Sequence, residues 1–367
     1  MELIKLSLDN FRNIEREEIE FFPGINVLHG KNAQGKTSII EAIWLLSCGK
    51  SFRTVRYQEM IEFNKKNSNV SLKFRDTVRE NTHSVKLYCD KKKLFSVNEV
   101  QIKKTRDILG KLGTVLFIPE HLNIIKDGPS ERRKFIDIAI CQIKKMYLSL
   151  LTNYQHALEQ RNTFLRAGIA SNDDTDMLEI WDERIADLAA GIISIRINYM
   201  EKLNSYSDNV YKEISKNEKL KLEYKPFFNI QGQKEEDIKI LMIEKLKSSR
   251  KRDLESGTTN VGPHKDEIDI FINGKSARQF ASQGQQRSGA LAMKMAEADI
   301  MKQECGEEPV LLLDDILSEL DDVRKDYVLN RIKNRQVIIT SCERKELIRF
   351  SGRYFSVERG KIVQENG

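Results

Sequence analysis

The chain has 367 residues, more than one compact core usually serves, so two domains or one domain with a large insertion are expected. With 40% apolar and 32% charged residues it reads as a folded soluble chain, and no stretch approaches the roughly 20 apolar residues of a membrane-spanning helix. Sixty-one basic against 55 acidic side chains, a formal charge of +6, permit a polyanionic partner without requiring one.

The start, MELIKLSLDNF, lacks the layout of a signal peptide, which sets a cytoplasmic expectation. Cys48, Cys89, Cys141, Cys305 and Cys342 show no CxxC pairing, so reduced and mostly buried thiols are expected rather than zinc or disulfides.

The first 125 residues read largely as strands: LIKLSL, EIEFF and GINVLHG, then NVSLKF and SVKLYC after one helix. From about Glu131 the period changes to helix. Ile136, Ile140, Ile143, Tyr147, Leu150, Tyr154 and Ala157 step by four and three, and Trp181, Ile185, Leu188, Ile192 and Ile195 form a second seam. AGIASNDDTD between them predicts an antiparallel hairpin, each arm roughly 35 to 40 residues and about 55 Å long. The charged stretch KSSRKRDLESGTTN, 247 to 260, is the nearest thing to a linker. Beyond Gly257, EIDIFING, PVLLLDDI and QVIITSC read as strands again. The expected organisation is therefore an α/β domain from 1–125 and 256–367, carrying extra antiparallel strands, with a helical lobe inserted at 126–255.

GINVLHGKNAQGKTSIIEAIWLL sets a strand before Gly30, Lys31, Asn32, Ala33, Gln34, Gly35, Lys36, Thr37 and Ser38, and an apolar helix after them. This is the P-loop pattern in its proper context. Glycines let backbone N–H groups turn toward phosphates, the helix N-terminus adds its positive end, Lys36 reaches the β and γ oxygens, and Thr37 can ligate Mg²⁺. Four apolar residues in VLLLDD end on Asp314 and Asp315, placing two acids at a strand's C-terminal edge. Asp314 suits Mg²⁺ and Asp315 suits activation of an attacking water, while both could also simply cap the next helix.

ASQGQQRS, 281 to 288, runs straight into a helical apolar pattern. Ser282 with Gln285 three residues later fits a capping box. Taken in order, GKNAQGKT, SQGQQ, LLLDD and SELD resemble the Walker A, signature, Walker B and D-loop motifs of ABC-type ATPases. With GKSFR at 49 to 53 and VGPHKDE at 261 to 267, the whole chain resembles the RecF family of DNA-repair proteins.

The resemblance implies ATP and Mg²⁺ as cofactors, and contact of Ser282, Gly284 and Gln285 with ATP held by a second subunit in an ATP-dependent homodimer. It assigns Ser318 and Asp321 to the D-loop. It further implies a weak, DNA-stimulated ATPase that binds duplex or gapped DNA, works with RecR and RecO, and helps load the RecA recombinase. An ABC transporter subunit or an ATP-gated DNA scaffold are the alternatives. Two departures from the transporter pattern stand out: Asp315 replaces a more usual glutamate, and QVIITSCER has no histidine. Four basic clusters are candidates for DNA: Lys91 to Lys93, Lys103 and Lys104 with Arg106, Arg132 to Lys134, and Lys247 with Arg250 to Arg252. His264 and Lys265 read first as part of a turn, and Arg12, Asn13 and Arg53 as residues that could touch nucleotide or DNA.

Overall fold

Alternation of apolar and polar residues builds the N-terminal strands: β1 (Glu2–Phe11), β2 (Ile14–Glu20), β4 (Asn67–Arg75) and β5 (Glu80–Tyr88) bury one face and expose the other. By contrast β3 (Ile25–His29) and β8 (Thr114–Phe117) are buried almost throughout, as central strands must be. Short strands β6 (Lys93–Val97) and β7 (Val100–Ile102) extend the antiparallel ladder, and α1 spans Lys36–Cys48. The middle of the chain forms α2 (Pro129–Ile143), α3 (Lys145–Ala167), α4 (Asn172–Ile214), β9 (Leu220–Lys225), α5 (Glu235–Ser256), β10 (Glu267–Ile272), β11 (Lys275–Ser276) and α6 (Ala277–Phe280). Then come α7 (Gln283–Cys305), β12 (Val310–Leu313), α8 (Asp322–Arg331), β13 (Val337–Ser341), β14 (Gly352–Glu358) and β15 (Lys361–Glu365). These elements come from a computed structural model that describes residues 1–167, 172–215, 218–229, 234–342 and 351–365.

Two units emerge. The first comprises Met1–Asn123, Glu213–Lys216 and Arg287–Gly367. It holds a six-stranded sheet in the order β2-β1-β4-β5-β6-β7 and a second in the order β15-β14-β3-β13-β12-β8. In the second sheet β8, β12, β13, β3 and β14 run parallel, and β15 returns antiparallel. Helix α1 touches β4 and β5 of one sheet and β8 and β13 of the other. That sandwiching explains why nearly every residue of IIEAIWLL is buried rather than one stripe alone.

The second unit comprises Ile124–Lys212 and Asn217–Gln286. Its α3 and α4 form the expected antiparallel pair: Leu150 lies against Gly191 and Arg161 against Asp182. The connection at 168–171 lies outside the described residues.

Four expectations change here. The first long helix is broken at Lys144, whose backbone is extended, so that Tyr147 on α3 donates to Asp137 on α2 at 2.5 Å. The segment 247–256 is the end of α5 rather than a linker. The inserted unit is not purely helical: EIDIFI, expected in the α/β domain, pairs with β9 along six residues, and β11 joins them. Accordingly the second boundary falls within α7 at Gln286, not at 255. Finally, only Cys48 and Cys141 are buried, while Cys89, Cys305 and Cys342 are exposed. None of the five forms a disulfide.

Each unit holds a histidine that stays neutral, His83 fully buried and His264 half-buried. In the first, His83 packs edge-on to Phe74 and bonds the Leu46 carbonyl oxygen at 2.8 Å; in the second, His264 lies between the Tyr154 hydroxyl and the Thr259 carbonyl oxygen. Burial is the leading cause that lowers both to about 4, from 6.5. Below 6.5 the unfolded chain takes up protons that these folded imidazoles refuse. Their stabilisation is therefore full above pH 6.5 and lost as pH falls toward 4, on the order of 3 kcal/mol for each. Urea midpoints from pH 7 to pH 4.5 should drop more steeply for wild type than for His83→Leu; parallel curves would refute this.

Candidate nucleotide cleft

The loop after β3 is shaped by backbone demands. Gly30, Ala33 and Gly35 all have positive φ, and a Cβ on Gly30 would run into the Val357 carbonyl oxygen. The first N–H groups of α1 have no acceptor within the helix and open the loop toward an anion. Lys36 Nζ donates to the carbonyl oxygens of Gly30 at 2.5 Å and Lys31 at 2.8 Å, so its ammonium is held over the same loop. From outside, Asn13 Nδ2 donates to the Gln34 carbonyl oxygen at 3.0 Å. The β14–β15 turn adds two more ties, Arg359 N to Gln34 Oε1 at 2.6 Å and Gly360 N to Gln34 O at 2.9 Å.

The acidic strand end meets this loop. Asp314 Oδ1 accepts from Thr37 Oγ1 at 3.0 Å and from Thr340 Oγ1 at 2.8 Å. Burial raises the Asp314 carboxyl above the usual carboxylate range, and the two hydroxyls oppose that shift. A hydroxyl and a carboxylate in direct contact are the hard oxygen donors that Mg²⁺ selects. Asp315 adopts a left-handed backbone, φ 49°, with its N–H on Thr340 Oγ1 at 2.8 Å and its carbonyl oxygen accepting from Ser318 Oγ at 2.7 Å. Together with residues 32–38, Arg12, Asn13, Arg53 and Thr340, Asp315 lines a cleft of about 710 Å³. Of the motif positions, Gly30, Lys31 and Asp314 are not on the cleft wall itself, although Lys36 and Thr37 bond to them.

Sequence reasoning passed over Glu41. It is fully buried on α1, one turn past the loop, and grips Arg12 through Nε at 2.9 Å and the terminal nitrogen at 2.6 Å. Arg53 at 3.1 Å and Ser51 Oγ at 2.5 Å complete the set, which gives GKSFR its local role. The signal was there: an acid alone in an apolar helix must be paired.

The signature stretch lies where α7 begins. Ser282 and Gln285 make both capping-box bonds, at 2.9 and 3.2 Å, and Gln285 Nε2 donates to Glu218 at 2.5 Å. Ser282 itself remains exposed and Gly284 half-buried. Farther along α7, Arg287 donates to the Glu319 carbonyl oxygen at 2.5 Å, and Arg324 Nε donates to Ser288 at 2.8 Å. Asp321 caps α8 by accepting from Arg324 N at 3.0 Å. These bonds tie the stretch after the signature to the SELD turn. At the end of β13, where transporters carry histidine, Cys342 donates to Asn32 Oδ1 at 2.8 Å; residues 343–350 lie outside the described residues.

VGPHKDE is structural. Buried Asp266 accepts from Arg196 at 3.0 Å, Phe227 N at 3.0 Å and the Tyr224 hydroxyl. One basic cluster is partly absorbed: Arg132 is buried against Glu267 at 2.9 Å and half-buried Arg133 donates to the Asp266 carbonyl oxygen at 2.7 Å, while Lys134 stays exposed. Lys93 is engaged with Tyr57 and Arg250 with Asp182. Lys91, Lys103, Lys104, Lys251 and Arg252 remain exposed.

The family description "RecF/RecN/SMC N terminal domain" matches residues 2–361. The DNA replication and repair protein RecF of Clostridium perfringens (strain SM101 / Type A) is 39% identical over 99% of both chains. That of Caldanaerobacter subterraneus subsp. tengcongensis is 41% identical over 95% of this chain and 96% of its own. The chain belongs to the RecF family. A solved RecF structure bearing ATPrS, described as a recombination mediator protein of the RecFOR pathway, superposes with a TM-score of 0.93 at 38% identity, covering 99% of this chain and 98% of that one. An Smc head bound to the C-winged helix domain of ScpA shares the fold alone, at TM-score 0.59 and 18% identity over 100% of this chain and 98% of that one. The RecF fold is thus that of an SMC-like ABC-type ATPase with added antiparallel strands and an inserted lobe. No described helix is long and apolar enough to cross a membrane.

Proposed function

We propose that the chain is an ATP-operated DNA-binding protein of recombinational repair and replication in the cytoplasm. The observation that carries this reading is the contact of Thr37 with Asp314 beneath the P-loop, with Asp315 beside them on the cleft. Residues 30–38 cradle the ATP phosphates, and Lys36 leaves its loop carbonyls for the β and γ oxygens. Thr37 and Asp314 would hold Mg²⁺, which would supply positive charge against the negative charge of the phosphates. Asp315 orients and deprotonates the attacking water.

Ser282, Gly284 and Gln285 of one copy close on ATP held by another, with Ser318 and Asp321 alongside, so that ATP joins two copies head to tail and slow hydrolysis releases them. The exposure of Ser282 beside a helix N-terminus supports this role. Lys91, Lys103, Lys104, Lys251 and Arg252 offer sequence-neutral contacts to duplex or gapped DNA. Membership of the family supports RecR, with RecO, as partner and the loading of RecA as outcome.

Sedimentation and ATPase rate, each with and without duplex DNA, test the whole reading. Wild type should dimerise on ATP and hydrolyse faster with DNA, whereas Lys36→Arg should do neither. Ser282→Arg should bind ATP normally yet stay monomeric. It sacrifices only a helix cap, about 1 kcal/mol. Normal ATP-driven dimers of Ser282→Arg would sink the composite site, and rates indifferent to DNA would sink the repair role.

A further inference from the structure

The cleft wall divides by chemistry. Its loop and strand-end members are polar or small, and Ile61 and Phe63 are its large apolar members among the described residues. Phe63 is 86% exposed, an unusual place for a phenyl ring. Its backbone is nevertheless firmly held. Ile61 bridges Phe11, Arg12 N donates to Met60 O at 2.7 Å, and Glu62 N donates to Asn10 O at 2.9 Å. Beyond it, Asn64 has φ 63° and Lys65 N closes a turn on Glu62 O at 3.1 Å. A ring is thus presented to solvent from a fixed turn beside a phosphate cradle.

Two guanidinium groups share this wall, and both are tied to Glu41, Arg53 through Nη1 at 3.1 Å. Arg12 is gripped on two nitrogens by Glu41 and on a third by the Glu59 carbonyl oxygen. Gln58, whose amide offers both a donor and an acceptor, lines the same cleft. We propose that Phe63 is the base-stacking platform of the cleft and selects a purine nucleoside triphosphate, with Gln58 facing the edge of the ring system. This rests on reading the cleft as a nucleotide site. It adds what the P-loop cannot supply, since residues 30–38 see only phosphates.

The test is equilibrium binding of ATP, CTP and inorganic tripolyphosphate to the full chain and its variants. Phe63→Ala should weaken ATP by about tenfold or more, the scale of one base-aromatic stack, and leave tripolyphosphate unchanged. Phe63→Tyr should restore ATP. In wild type CTP should bind more weakly than ATP, and Phe63→Ala should narrow that gap. Phe63→Trp should show indole quenching on adding ATP but none on adding tripolyphosphate. Wild-type ATP affinity in Phe63→Ala, or equal loss of ATP and tripolyphosphate, would overturn stacking alone. Wild type that binds neither ATP nor tripolyphosphate would overturn both this proposal and the nucleotide reading beneath it.

Discussion

Asp315→Asn should lower single-turnover ATP hydrolysis by about a hundredfold to ten-thousandfold, the range over which a positioned base contributes, while ATP affinity and dimer formation persist. The separation follows from the backbone. Asp315 holds its left-handed conformation through its N–H on Thr340 and its carbonyl oxygen on Ser318, and neither bond involves the carboxylate. Asparagine tolerates the same φ, so the swap removes a base without moving the loop. Asp314→Asn is the contrasting case. Asparagine keeps an oxygen for Thr37 and Thr340 but removes the charge proposed to hold Mg²⁺, so both binding and turnover should fall. Equilibrium binding beside quench-flow rates would distinguish them, and undiminished hydrolysis in Asp315→Asn would assign water activation to another group.

The largest stability effect should come from Arg161, which takes no part in the proposed chemistry. Its side chain is fully buried, donating to Asp182 at 2.8 Å, Asp253 at 2.8 Å and Thr259 at 2.8 Å. Arg161→Leu leaves two carboxylates without this cation, and breaking a buried pair costs about 3 to 5 kcal/mol. The lower end of that range is expected. Asp182 keeps Arg250 at 2.9 Å, and Asp253 keeps Ser249 and two donors of Asn260. Arg161→Lys, a point charge that cannot fork to both acids, should fall between. The exposed pair of Lys212 with Asp208 should be worth about 1 kcal/mol or less. Urea unfolding midpoints for Arg161→Leu, Arg161→Lys and Lys212→Ala would check this order, and a loss in Arg161→Leu no greater than in Lys212→Ala would contradict it.

The meeting of the glycine-bearing loop with the acidic strand end was legible because the proposed phosphate site imposes spacing: glycine, lysine and threonine must follow one another, and two acids must end a buried strand. The hairpin of α3 and α4 was legible from its apolar seams. What stayed hidden depended on partners distant in sequence. The apolar steps run through Lys144 in phase, and only Tyr147 meeting Asp137 reveals the break. The strand at 267–272 carries no mark of its partner at 220–225, so its unit could not be assigned from its own residues. Arg132 and Arg133 look like a solvated basic run until Glu267 and the Asp266 carbonyl oxygen are seen beneath them. Glu41, an acid in an apolar helix, signals that it needs a partner, but only the fold shows that Arg12 and Arg53 are the ones that converge on it.

The strand order of the parallel sheet carries a consequence for synthesis on the ribosome. The strand that launches the P-loop, β3, is flanked by β13 and β14, and the Gln34 backbone is tied to the β14–β15 turn. A nascent chain therefore displays the Walker motif long before it owns a cradle. On the proposed reading, ATP capture should wait until β13 and β14 have paired on both sides of β3, so nucleotide binding would report that the distant strands have arrived. Chains cut short before β13 would carry GKNAQGKT intact and bind nothing with it.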